Sequence, residues 1–202
     1  MFKTIHIAIT ILAWASLAAA QSTDYKKLDV YAGYTVSLVA NSVGDETIPE
    51  DPEDFRGLNA SITKNVSRYV GLKFEFSDHQ NVPYTTYIKR DSNLYNFLGG
   101  IQIKDNSSEK TFKPFVHALV GVAHIHNRIT FSDSFCAAIS PRPCPADFTE
   151  RNTGLASAFG GGLDIRVSDR LDIRIIQFDY TPMRLFDTRQ PSARFGIGLV
   201  FH

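Results

Sequence analysis

Apolar and polar side chains alternate along eight segments of this chain, and the connections between the segments are by turns long and short. The segments are residues 28–40, 57–66, 69–77, 94–104, 112–126, 154–167, 171–180 and 192–202. Successive side chains of a strand point to opposite faces, so a period of two describes a sheet with two chemically different sides. The connection 41–56 carries Gly, Pro, Asp and Glu, whereas only Ser67 and Arg68 separate the second segment from the third. Residues 127–153 contrast in the same way with Ser168, Asp169 and Arg170, while residues 105–111 are longer than an ideal tight turn. Eight such strands with long loops at one end and tight turns at the other describe an all-β, eight-stranded antiparallel up-and-down transmembrane β-barrel.

Residues 1–20 read as a cleaved secretory signal. Lys3 supplies the positive start, residues 5–17 the apolar stretch, and Ala18, Ala19 and Ala20 the small-residue cleavage site. Residues 21–27 then form a short N-terminal segment and residues 28–202 the barrel domain. After residue 20 there is no apolar run long enough for a spanning helix, and no Cys follows the cleavage site to carry a lipid anchor.

A formal net charge of +0 and a pI near 7.0 offer no basic field for nucleic acid. The two cysteines, Cys136 and Cys144, fall in the longest connection beside Pro141, Pro143 and Pro145. In an exported protein such a close pair is expected to form a disulfide that pins the loop, and two thiols are too few for a metal site.

Face by face, the alternation separates an outside from an inside. Val30, Ala32, Tyr34, Val36 and Leu38 oppose Asp29, Tyr31, Gly33, Thr35 and Ser37, and Val70, Leu72, Phe74 and Phe76 oppose Gly71, Lys73, Glu75 and Ser77. In the last segment Phe195, Ile197, Leu199 and Phe201 oppose Arg194, Gly196, Gly198 and His202. The parity slips at Ile175 and Ile176, which a β-bulge would explain. Segment 112–126 is apolar on both parities, so its faces are unassigned.

The inward parity collects Lys73, Lys104, Arg166, Arg174 and Arg194 against Asp29, Glu75, Asp164, Asp172 and Asp179. Balanced charges in a narrow barrel are expected to pair, because an isolated buried charge costs several kcal/mol. They therefore read as an ion-pair network filling the lumen. Asp29, Lys104, Arg166 and Asp172 are expected nearer the wet rims, and Lys73, Glu75 and Arg174 deeper.

Five stretches together resemble the small outer-membrane β-barrel family of the OmpA transmembrane type. They are Val30-Tyr31-Ala32-Gly33-Tyr34, the run from Phe159 to Arg166, the pieces Ile173-Arg174 and Asp179-Tyr180, and the closing run from Arg194 to Phe201. The resemblance implies a bacterial outer-membrane location in contact with outer-membrane lipid, both termini in the periplasm, and any extracellular ligand at the outer loops. It also implies a last strand read by the barrel-insertion machinery. Family members end on an aromatic residue, whereas here Phe201 precedes a final His202, which weakens that signal. The peptidoglycan-binding domain of larger relatives is not expected.

Catalytic and metal readings are weaker. His117, His124 and His126 lie in one segment, and His124 with His126 share a face, a spacing that could hold a divalent metal given a third ligand. His124, Ser157 and Asp179 could serve as base, nucleophile and orienter of a lipid-modifying enzyme, though no motif fixes them. Asn59, Asn65 and Asn106 begin Asn-x-Ser triplets and keep open a soluble lipocalin-like ligand-binding barrel. The expected role is structural or surface-interacting and non-catalytic, without cofactor or metal; a narrow ion channel is a further alternative.

Overall fold

The computed structural model describes residues 25–39, 53–81, 88–107, 109–131, 136–137, 147–186 and 188–202. Ten strands follow one another: β1 (Leu28–Val39), β2 (Glu53–Asn65), β3 (Val70–Asn81), β4 (Ile88–Lys104), β5 (Phe112–Phe131), β6 (Phe148–Ser168), β7 (Leu171–Tyr180), β8 (Met183–Leu185), β9 (Thr188–Gln190) and β10 (Ser192–Phe201). Eight close a ring in the order β1-β2-β3-β4-β5-β6-β7-β10, each antiparallel to its neighbours, with β10 returning to β1. Closure matters because hydrocarbon offers no partner to an unpaired N–H or C=O, and a ring has no edge.

The tight turns 66–69 and 169–170 gather at one end, together with Asp105, Asn106 and Ser107 after β4. There Tyr25 forms an isolated bridge with Ser107, and the Lys26 N–H donates to the Asn106 carbonyl at 3.3 Å. The proposed signal, residues 1–20, and the long connection 40–52 lie outside the described residues.

Strand β7 has the expected bounds, whereas β2 to β6 reach further toward the outer end than the alternation indicates. Strands β5 and β6 are 20 and 21 residues long, about twice the 9–11 residues that cross a bilayer. Beyond the hydrocarbon neither face must be apolar, so the backbone stays paired while the sequence pattern fades.

The parity slip in β7 is a bulge. Ile175 and Ile176 both face outward, and the register shifts by one residue against β10 and against β6. The extra residue returns Gln177 and Asp179 to the inside, where Asp172 and Arg174 already point.

The connection from β7 to β10 forms a hairpin, β8–β9, that pairs with β6 through Met183 and Ala156. Met183 and Leu185 turn inward and are buried. At its tip Phe186 adopts φ 51°, in the left-handed region that hairpin turns demand, and its N–H donates to Asn152 Oδ1 at 3.0 Å.

Outside, Leu58, Phe74, Phe97, Val116, Val120, Leu155 and Ile197 are exposed. An apolar wall of this kind suits lipid and is the reverse of the polar exterior a lipocalin-like barrel requires. Asn59, Asn65 and Asn106 are buried, so the folded chain offers none of them for modification. Inside, β5 directs Lys113, Phe115, His117, Leu119 and Ala123 to the lumen. Its double apolar parity now has a cause, because the outer part of the lumen is itself apolar. Leu94, Leu98, Leu119, Ala156, Ala158, Met183 and Leu185 pack there as one cluster.

Candidate functional site: the ion-paired lumen

Below the apolar cluster the interior is polar, and its groups join in three tiers. In the first, Arg194 on β10 reaches across the lumen to Glu75 on β3 and binds Asp179 on β7, with Nη2 at 2.6 Å and Nε at 3.0 Å from Oδ2. Lys73 Nζ lies 2.9 Å from the other oxygen of Glu75 and donates to His117 Nδ1 at 3.3 Å. The opposite ring nitrogen, His117 Nε2, stands 2.8 Å from Asp179 Oδ1. Four strands are thereby tied across the barrel, and each charge has a partner that compensates its desolvation.

Gln177 leads to the second tier by donating to Asp179 at 2.7 Å while accepting from Arg174 Nη1 at 2.8 Å. Arg174 donates from Nε to Asp164 Oδ1 at 2.7 Å and from Nη2 to Oδ2 at 3.2 Å, the two-pronged geometry that suits a planar guanidinium. Its face is held between Tyr31 and Phe115, with ring centroids 4.3 Å and 4.0 Å from Cζ. Tyr31 lies over the directly opposed pair Gly33 and Gly198, where a Cβ added at Gly33 would come within 2.1 Å of its hydroxyl and one at Gly198 within 2.7 Å of its ring.

The third tier closes the end with the short turns. Lys104 Nζ donates to Asp29 at 2.5 Å and to Asp164 at 3.4 Å, which links it to the second tier. Lys113 donates to Asp172 at 2.9 Å. His202 bridges the seam where the barrel closes, with Nδ1 2.8 Å from Asp29 and Nε2 2.9 Å from Asp172. Burial disfavours a charged His202, yet the hydrogen bonds to Asp172 and Asp29 prevail and hold its pKa above the ordinary value.

Arg166, collected with the inward charges and expected nearer the rim, is not among the buried charges; its side chain is 29% exposed and pairs with Asp169 at the β6–β7 turn, where the register slips a second time. Asp29, Lys104 and Asp172, expected at the same wet rim, are instead buried and paired. Lys113 takes the place of Arg166, so the buried set still balances: Lys73, Lys104, Lys113, Arg174 and Arg194 against Asp29, Glu75, Asp164, Asp172 and Asp179. The signal for Lys113 was its shared parity with His117.

The chemical candidates do not converge. His117 points into the lumen while His124 lies on the other face of β5 and bonds Thr153 at 2.7 Å, and among the described residues no three His, Cys, Asp or Glu side chains group to hold a metal. Ser157 lies on the outer parity of β6, across the wall from Asp179, so His124, Ser157 and Asp179 do not assemble. Cys136 is disulfide-bonded, and Cys144 lies outside the described residues.

A closed ring, apolar outside and ion-paired inside, defines a transmembrane β-barrel of the outer-membrane type. The chain belongs to the outer membrane protein beta-barrel domain family, whose pattern matches residues 9–201. Ail, the attachment invasion locus protein of Yersinia pestis, is similar in structure with a TM-score of 0.57 at 18% identity, over 86% of this chain and 97% of that one. Neisserial surface protein A aligns with a TM-score of 0.52 at 13% identity, over 87% and 97% of the two chains. At these identities the likeness is one of fold. No curated protein matches the sequence.

Proposed function

We propose that this protein is a non-catalytic outer-membrane barrel with a structural or surface-interaction role, exported through a cleaved signal at residues 1–20, whose lumen is sealed by Lys73, Glu75, Asp164, Asp172, Arg174, Asp179 and Arg194. The observation that carries this reading is the connected chain of ion pairs and hydrogen bonds from Lys73 to His202, bridged between its first two tiers by Gln177 and crossing the interior between β3 and β10. An eight-stranded barrel has an interior just wide enough for side chains to fill, so a connected network leaves no continuous water path. Any extracellular ligand would be bound by the outer loops, the Cys136–Cys144 loop among them, since loops on a rigid scaffold tolerate the variation that binding needs. The last strand, with Phe195, Ile197, Leu199 and Phe201 on one face, would present the barrel to the insertion machinery.

Conductance in planar bilayers tests the seal. The wild-type barrel should conduct poorly or in rare brief openings, and Glu75→Ala should open more often because Arg194 and Lys73 lose a shared partner. Steady, large wild-type conductance that Glu75→Ala leaves unchanged would replace the sealed reading with a channel.

A further inference from the structure

Both ring nitrogens of His117 and of His202 meet charged partners, and the signs of those partners dictate opposite protonation states. His202 lies between two carboxylates, Asp29 at 2.8 Å and Asp172 at 2.9 Å, so only the imidazolium, with a donor on each nitrogen, satisfies both. His117 lies between a cation and an acid. The Lys73 ammonium has donors only, so its 3.3 Å contact requires a lone pair on Nδ1 and leaves the ring proton on Nε2, 2.8 Å from Asp179 Oδ1. His117 is therefore neutral in this structure.

The charges around it balance without a further proton. Lys73 and Glu75 come from β3, Asp179 from β7 and Arg194 from β10, two cations against two acids, while Arg174 on β7 is matched by Asp164 on β6. Directly opposite His117 stand Gln102 on β4 and Gly160 on β6, both uncharged. A proton on Nδ1 would remove the acceptor of Lys73, set a like charge against its ammonium and leave the tier with one cation in excess. Lys73 has a second acceptor within reach. Gln102 lies diagonal to it on the neighbouring strand, a spacing that long side chains cross, and among the described residues its buried Oε1 accepts no hydrogen bond. An acceptor buried without a partner is costly, so a displaced ammonium is welcome there. We infer that His117 is an acid-operated release of the luminal seal: protonation on Nδ1 expels Lys73 toward the Gln102 carboxamide, and the loosened, net-positive tier passes small anions. The inference rests on the sealed-lumen reading and adds its regulation. Toward the outer end the way past the network is hydratable, since Thr35, Asn59 and Ser77 line β1 to β3 and both amide atoms of Asn59 are buried without a partner. His202 responds in the opposite sense, because acid keeps its clasp closed.

The full-length barrel in planar bilayers provides the test, with potassium chloride as the probe and the pH lowered from about 7.5 to about 4, a range in which an imidazole charges. Openings of the wild type should become about tenfold or more frequent in acid, since a like charge beside Lys73 destabilises the closed state. Under a salt gradient their reversal potential should mark a preference for chloride, as a cationic lining selects anions. The ratio of acid to neutral opening should collapse in His117→Gln, whose carboxamide takes up no proton, and Gln102→Leu, which deletes the second acceptor, should move the transition to lower pH. Nitrogen NMR shifts of the wild-type imidazoles keep the inference testable should the variants fail to fold: His117 should show a bare Nδ1 at neutral pH and two protonated nitrogens in acid. Acid opening retained in His117→Gln, a transition that Gln102→Leu leaves in place, cation-selective openings, or a protonated Nδ1 at neutral pH would each overturn the inference. Silence of the wild type throughout would overturn it while leaving the seal intact, whereas steady conductance already at about pH 7.5 would strike the sealed reading itself.

Discussion

At the scale of single residues, a side chain's worth here depends on the partner it would abandon. Glu75 is buried and faces both Arg194 and Lys73, so Glu75→Ala leaves two cations around one remaining acid, Asp179. Breaking a buried pair from one side typically costs roughly 3 to 5 kcal/mol, and urea unfolding of the folded barrel should show a loss of that order. Arg68 and Asp105 make the contrasting case. Their hydrogen bond holds the Asp105 carboxyl down at about 2, but both side chains meet water at the turns, where such pairs stabilise little. His202 sets a pH dependence whose sign is fixed by its raised pKa. The stability it contributes is fully present below its ordinary value near 6.5 and is lost as pH rises through the higher folded value. Lys104 and Lys113 hold Asp29 and Asp172 from the other side. Thermal midpoints measured from pH 6 upward should therefore fall for the wild type, and His202→Asn should flatten that fall; an unchanged slope in the variant would assign the dependence elsewhere.

At the scale of elements, register and spacing decide what each strand contributes. The β1–β10 seam closes over Tyr31 because Gly33 and Gly198 leave room for its ring, and that ring in turn seats Arg174. Gly198→Val should displace Tyr31 and cut the yield of folded, SDS-resistant barrel far more than Ile197→Val, which changes only the exposed face of the same strand. The outer loop makes an independent prediction. If Cys136 pairs with Cys144, a thiol reagent should label neither in intact cells until reductant is added, and Cys136→Ser/Cys144→Ser should leave the barrel folded, since a disulfide constrains mainly the segment it closes. Labelling at both positions without reductant would refute that pairing. The bulge at Ile175 and Ile176 was legible because two consecutive apolar residues interrupt a strict alternation. The β8–β9 hairpin was not, for its strands are three residues each and too short to show a period.

For the whole molecule, closure of the ring and the apolar wall predict behaviour in the membrane. The folded protein should partition with outer membranes, resist carbonate extraction, and migrate faster on SDS gels before boiling than after; recovery as a soluble periplasmic monomer would contradict this. By itself the sequence determined the class of fold, the count and polarity of the strands, and which charges face inward from Lys73, Glu75, Arg174, Asp179 and Arg194, because a period of two written between lipid and lumen leaves a direct trace in residue order. Only the tertiary structure decided who pairs with whom, that Lys113 and His202 belong to the network and Arg166 does not, and that the outer part of the lumen is packed with apolar side chains. Those outcomes depend on distances across the barrel and on the depth at which each strand starts. Neither is encoded in local alternation; both follow from register around the closed ring, which places Glu75 against Arg194 across 119 positions of chain.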